Sequence, residues 1–275
     1  MKKIIPLTAG SKLVVTPSRI QKAEKPHVFL FVNGFFSDHG IWDRWVAEVA
    51  KQCGTCYALE FPGRIADGLN IPDIGMKDYA GAVAEAIAAI KNTSDSRLTV
   101  ISHSAGCLAT CMALSGEVGE AVDEVVHLNP APMKEIFLSW QVRLRSLKYL
   151  MSILAGDSFK LTDEDVREIL LSGYRTEANC PLPESREESG RAVRDLLFGV
   201  RVENQPSCMT VVVGCHQDRM TPLYISQRTF DLLSQKTRGG EAHITYLDFR
   251  GCGHLPMVGQ GAIGRLTRIL EVLGC

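Results

Sequence analysis

The chain has 275 residues, 45% of them hydrophobic and 22% charged, with 30 Lys and Arg against 31 Asp and Glu, for a formal net charge of −1. That length supports one large core with an insertion, and scattered basic residues at near-neutral charge leave no electrostatic footprint for a nucleic acid. No stretch approaches the ~20 apolar residues of a membrane helix, and the apolar part of Met1-Lys2-Lys3-Ile4-Ile5-Pro6-Leu7 is cut by Pro6 too early for a signal peptide.

In chain order, Ile4 to Leu7 and Leu13 to Thr16 read as an antiparallel pair. Apolar or β-branched runs at 28–32, 56–60, 98–101, 124–128, 209–213 and 243–247 read as buried parallel strands. Helical periodicity covers Trp42 to Lys51, Met76 to Lys91, Gly106 to Leu114, Ile225 to Leu233 and Ala262 to Leu273. Strands alternating with helices imply βαβ crossovers, a parallel sheet covered on both faces, and reactive residues at the carboxyl ends of strands. From Met133 to about Val200 the alternation breaks and strand patterns are absent. Three helices are expected there, Glu135 to Ile153, Thr162 to Leu171 and Ser185 to Phe198, with capping-box spacings at Thr162/Asp165 and Ser185/Glu188. The core is therefore expected over 1–132 and 201–275, with 133–200 inserted.

The run Leu98-Thr99-Val100-Ile101 stops at Ser102-His103-Ser104-Ala105-Gly106 and enters an apolar helix. A serine on such a strand-to-helix turn has its hydroxyl pushed out of the sheet, and small residues two positions either side let the chains pack. Ser104, flanked by Ser102 and Gly106, fits better than Ser102, whose −2 residue is Val100. A nucleophilic serine needs a base, and the base needs a group that fixes its tautomer. Asp218 follows the run Met209-Thr210-Val211-Val212-Val213, and His254 follows Ile244-Thr245-Tyr246-Leu247 through Gly251-Cys252-Gly253.

The order Ser104, Asp218, His254 on successive strand ends resembles the α/β-hydrolase superfamily over nearly the whole chain. Val28-Phe29-Leu30-Phe31-Val32 followed by Asn33-Gly34-Phe35 and Trp42 is similar to that family's His-Gly-Phe…Trp segment, with Asn33 in place of histidine. The resemblance implies an α/β-hydrolase fold, an oxyanion hole from the backbone N–H groups of Phe35 and Ala105 with Phe36 as the fallback donor, and a helical lid over 133–200. Phe36, Phe137 and Trp140 are then candidate substrate contacts, while Arg143, Arg145 and Lys148 could face the pocket and bind an anion. Some relatives carry the acid after the strand that here ends at Leu128, but Asn129-Pro130 offers no carboxylate, which favours Asp218. Asp248 reads as a solvated turn residue, and His103 as packing behind the serine turn.

The implied activity is hydrolysis of a carboxylic ester or thioester through an acyl-enzyme. C–C hydrolase or cofactor-free perhydrolase chemistry stays open, as does a triad-bearing ligand receptor with little turnover. Pro62-Gly63-Arg64, a turn found in esterases and thioesterases alike, does not separate them. No histidine spacing suggests a metal site, so no cofactor is implied. Nine cysteines scattered through strands and helices argue for reduced thiols in a cytoplasm. Cys53-Gly54-Thr55-Cys56, at a helix-to-strand junction without a second Cys or His pair, reads as structural.

Overall fold

Successive side chains on a strand point to opposite faces, so a strand covered on both sides must be apolar at every position. The central strand β3 (His27–Val32) does this: Val28, Leu30 and Val32 enter one core, while Phe29 and Phe31 enter the other. A computed structural model describes residues 3–8, 10–19, 27–63, 71–93, 95–136, 147–172, 185–203, 205–237 and 243–275. Around β3 lie β1 (Lys3–Pro6), β2 (Lys12–Thr16), β4 (Thr55–Glu60), β5 (Arg97–His103), β6 (Glu124–Leu128), β9 (Met209–Cys215) and β10 (Ile244–Phe249). They form one eight-stranded sheet in the order β1-β2-β4-β3-β5-β6-β9-β10. Within it β1 and β2 pair antiparallel, β2 runs antiparallel to β4, and the rest are parallel. This mostly parallel sheet is what the alternation predicts, and its architecture is the one that the α/β-hydrolase resemblance implies.

Helix α1 (Asp43–Gln52) and α8 (Ala262–Val272) cover one face, burying Trp45, Val46 and Val49 against Leu266 and Ile269. Helices α2 (Met76–Lys91), α3 (Ala105–Leu114) and α7 (Leu223–Lys236) cover the other, burying Val83, Ile87, Leu108 and Ile225. Helix α3 has almost no polar face: nine of its ten residues are buried, so its long axis sits in the core and its first turn is fixed against β5.

The described part of 133–200 departs from the expectation in three ways. Thr162 does cap a helix, accepting from the Asp165 N–H at 3.3 Å, but α5 (Asp163–Asp165) passes at once into π-helical winding over Val166–Leu170. The third helix, α6 (Gly190–Phe198), starts five residues late. Ser189 caps it by accepting from Ala192 N–H at 3.2 Å, and Glu188 lies in a short strand with its carboxylate accepting from Phe36 N–H at 3.0 Å. That strand, β8 (Glu188–Ser189), pairs antiparallel with β7 (Ser158–Phe159), a ladder too short to leave an alternating pattern in the sequence. Of the first expected helix, residues 137–146 lie outside the described residues. Glu135 and Ile136 lie in a turn rather than a helix, and the rest is a 3-10 turn, Leu147–Tyr149, and α4 (Leu150–Ala155).

On β6, His127 is 2% exposed, with Nδ1 2.9 Å from Ser102 Oγ and Nε2 3.5 Å from Cys111 Sγ. Burial holds its pKa down at about 4, against an ordinary value of 6.5. Between these two values the unfolded chain binds a proton that the folded chain refuses, so stability falls as pH falls, by about 1.4 kcal/mol per pH unit. Urea unfolding at pH 7 and pH 5 should show the wild type losing about 2 kcal/mol more than His127→Asn over that interval; equal losses would contradict this assignment.

Candidate active site

The strand β5 delivers Ser104 in a left-handed backbone conformation, φ 52° and ψ −123°, which a non-glycine residue adopts only when its surroundings enforce it. Those surroundings are specific. Ser104 N–H donates to Leu128 O at 3.0 Å and its carbonyl accepts from Ala131 N–H at 3.0 Å. A Cβ at Gly106 would stand 2.3 Å from Asn33 O, and one at Gly34 would stand 2.7 Å from Ser104 Cβ. The serine turn and the loop after β3 can approach this closely only because both positions are glycine. Ser102, where a glycine is usual, turns its hydroxyl into the sheet and donates to Val126 O at 3.1 Å.

The structure brings the three distant side chains together. His254 Nε2 is 3.0 Å from Ser104 Oγ, and His254 Nδ1 is 2.8 Å from Asp218 Oδ2. All three residues are buried, Ser104 the least so at 8% exposure. Asp218 is satisfied on both oxygens: Oδ1 accepts from Met220 N–H at 2.7 Å and Thr221 N–H at 2.8 Å, and Oδ2 accepts from Thr221 Oγ1–H at 2.8 Å as well as from His254. A carboxylate held by this many donors is a fixed acceptor for the imidazole of His254.

Two residues fix the histidine from behind. His254 O accepts from Asn129 Nδ2 at 2.9 Å and from His103 Nε2 at 2.8 Å. Burial and the neighbouring His254 hold the His103 pKa well below the ordinary value, so His103 is a neutral donor. Asn129, at the position where an acid was sought, is therefore a strut for the histidine loop. Asp248 lies at the end of β10 and pairs with His216 at 2.7 Å rather than with His254.

Asn33 does what its place after β3 requires: Nδ2 donates to Ser37 O at 2.7 Å, closing the loop that carries Phe35. Among the described residues neither the Phe35 nor the Ala105 amide has a hydrogen-bond partner, and Ala105 opens α3 beside the hydroxyl. Phe36 cannot serve as fallback donor, because its N–H is taken by Glu188 Oε2 at 3.0 Å. Its carbonyl accepts from Arg186 N–H at 2.9 Å, and its φ is 58°. Glu188, with no solvent exposure, also accepts from Tyr79 Oη–H on α2 and from Ser189 N–H. Sequence reading had assigned Glu188 to a capping box; its pairing with residues more than a hundred positions away leaves no local signal.

A cavity of about 110 Å³ opens at Ser104 and His254, walled by Phe35, Phe36, Ile153, Phe159 and Leu196, with Arg219 as its charged lining residue. Phe137, Trp140, Arg143 and Arg145 lie outside the described residues. Lys148 does not reach the cavity; it pairs with Asp165 at 2.8 Å on the exposed side. One group of metal-ligating side chains converges among the described residues, contrary to the sequence reading: Asp38, His39 and Glu60, with ligand atoms within 4.8 Å of one another. Its groups already have partners: Arg186 pairs with Asp38 at 2.6 Å, and His39 Nδ1 hydrogen-bonds Glu60 Oε2 at 2.5 Å.

This constellation sits in a chain that belongs to the alpha/beta hydrolase family, whose sequence profile matches residues 29–262. By sequence, no curated protein matches the chain. Among solved structures, a monoacylglycerol lipase from Paleococcus ferrophilus is 17% identical with a TM-score of 0.64, over 95% of this chain and 98% of that one. A soluble variant of the monoglyceride lipase from Saccharomyces cerevisiae, in complex with a substrate analogue, is 12% identical with a TM-score of 0.68, over 100% and 94%. A thermophilic esterase from Thermogutta terrifontis is 14% identical with a TM-score of 0.68, over 99% and 98%. At these identities the likeness is one of fold. No helix among the described residues is long and apolar enough to cross a membrane.

Glu188→Ala would strand the Phe36 N–H and the Tyr79 hydroxyl, at a cost of roughly 1–3 kcal/mol for each buried donor. In a double-mutant cycle with Tyr79→Phe, urea unfolding should return a coupling of about 0.5–3 kcal/mol; simple additivity would mean the buried contact contributes nothing.

Proposed function

We propose that this hydrolase cleaves a carboxylic ester or thioester by forming and then hydrolysing an acyl-enzyme on Ser104. The observation that carries the reading is the unbroken line of contacts from Ser104 Oγ to His254 Nε2 at 3.0 Å and from His254 Nδ1 to Asp218 at 2.8 Å. In this scheme His254 takes the proton as Ser104 attacks the carbonyl carbon. Asp218 keeps the imidazole in the required tautomer and stabilises its charged form, and the Phe35 and Ala105 amides receive the developing oxyanion. His254 then protonates the leaving alcohol or thiol and activates the water that releases the acid.

The segment 133–200 is proposed as a lid over this site. Its helices contribute Ile153, Ile169, Val193 and Leu196 to the cavity wall, which supports a role in excluding water and receiving an apolar acyl chain. Phe36 is proposed to contact that chain. Free thiols at eight described cysteines support a reducing, cytoplasmic setting.

Ser104→Ala and His254→Ala should each lower kcat on p-nitrophenyl esters by on the order of 10⁴, and the double variant should be scarcely worse, because the groups act as one unit. Until the cavity is full, kcat/KM should rise about fourfold per acyl methylene, from ~0.8 kcal/mol of burial each. Labelling of Ser104 by a fluorophosphonate with no turnover of any ester or thioester would favour a ligand receptor instead.

A further inference from the structure

Phe35, whose amide the hydrolytic reading assigns to the oxyanion, lies between two peptide planes that are each held by side chains. In the plane before it, Gly34 O accepts from Ser37 Oγ–H at 3.1 Å and from Asn33 Nδ2–H at 3.3 Å. A peptide bond is planar and trans, so a carbonyl pinned on one side turns the Phe35 N–H to the other. In the plane after it, the Phe36 N–H donates to Glu188 Oε2 at 3.0 Å. The first anchor is local to the loop. The second comes from a side chain 152 positions away.

Phe36 depends on that second anchor. Its φ of 58° is left-handed, a conformation that a residue with a side chain keeps only where contacts enforce it. One short segment supplies them: Glu188 takes the N–H, and Arg186 N–H donates to the Phe36 carbonyl at 2.9 Å. The Arg186 guanidinium pairs with Asp38 at 2.6 Å, two residues further along the loop. The Phe36 ring packs against Phe159 with centroids 5.4 Å apart, and Phe159 is the partner of Glu188 in the β7–β8 ladder. Glu188 is itself held by Tyr79 Oη–H on α2 and by Ser189 N–H at 3.1 Å. A carboxylate only accepts, so one buried group gathers three donors from three parts of the chain.

We propose that Glu188 is a positioning residue for hydrolysis: by holding the Phe36 N–H it sets the aim of the Phe35 amide at the oxyanion. The inference rests on the hydrolytic reading above and deepens it, because the 185–198 segment then completes the oxyanion loop as well as covering the site. Glu188 does not line the cavity at Ser104, so its effect passes through the peptide plane it holds. Without it the serine keeps its base, and the developing charge loses an aimed donor.

p-Nitrophenyl acetate and its thionoacetate, in which sulfur replaces the carbonyl oxygen, separate positioning from stability. Sulfur is the weaker acceptor, so aimed amides favour the oxygen ester, and the ratio of the two kcat/KM values reads that aim. Glu188→Ala should lower the ratio on the order of tenfold, a fraction of the roughly 10²–10³ that a whole oxyanion donor contributes. Glu188→Leu, which fills the same space, should do the same if the alanine variant does not fold. Glu188→Gln should largely restore the ratio, because its amide oxygen still accepts from the Phe36 N–H. Tyr79→Phe leaves that bond in place and should lower stability without moving the ratio. Hydrogen exchange at 34–37, read by mass spectrometry, needs no turnover and should be faster in Glu188→Ala. An unchanged ratio or unchanged exchange in a folded Glu188→Ala or Glu188→Leu would overturn the role of Glu188 alone, as would an equal fall of the ratio in Tyr79→Phe. Faster exchange with no turnover of either ester by the wild type would instead overturn the hydrolytic reading, and the catalytic part of this proposal with it.

Discussion

The strained backbone at Ser104 is the constraint from which the rest of the site follows. A left-handed φ of 52° in a residue with a side chain costs on the order of 1–3 kcal/mol and must be held from outside. It is held by strand-end hydrogen bonds to Leu128 and Ala131 and by the tight passage of Gly106 across Asn33 O. The same contacts point the hydroxyl at His254, begin α3 at Ala105 and bring the loop after β3 alongside. One geometric commitment therefore sets the place of the serine hydroxyl, the imidazole beside it and the Phe35 and Ala105 amides.

The polar groups around that turn form a frame for the histidine. His103, kept uncharged by burial, and Asn129 grip the same carbonyl of His254, so the imidazole is located by its own main chain as well as by Asp218. Glu188 extends the frame into the 185–198 segment by holding Phe36, one residue beyond the Phe35 amide, and Tyr79 on α2. Through this carboxylate the 185–198 segment, α2 and the loop after β3 share a support.

Much of this was legible because strands buried on both faces leave continuous apolar runs. The run read as 98–101 is the middle of Arg97–His103, and that read as 209–213 opens Met209–Cys215. Residues following such runs must gather at the sheet's carboxyl edge, which is why Ser104 on its small-flanked turn, Asp218 and His254 could be singled out once their order matched the α/β-hydrolase pattern. The supports could not be. Asn129 looked like a missing acid and Glu188 like a helix cap, because each has its true partner far along the chain. Thr221, which donates to Asp218 Oδ2, carries no sequence signal beyond its closeness to the acid. The 133–200 segment was read least well, since its two-residue strands and π-helical turn fall below any periodicity.

The hydrolytic reading depends on whether the Phe35 and Ala105 amides face the same point in space as the serine hydroxyl. A crystal structure of the protein inhibited by an alkyl phosphonate tests this directly. The account predicts phosphorus bonded to Ser104 Oγ, with the phosphoryl oxygen about 2.7–3.1 Å from both amide nitrogens. A phosphoryl oxygen turned away from both, or an adduct on another residue, would contradict it.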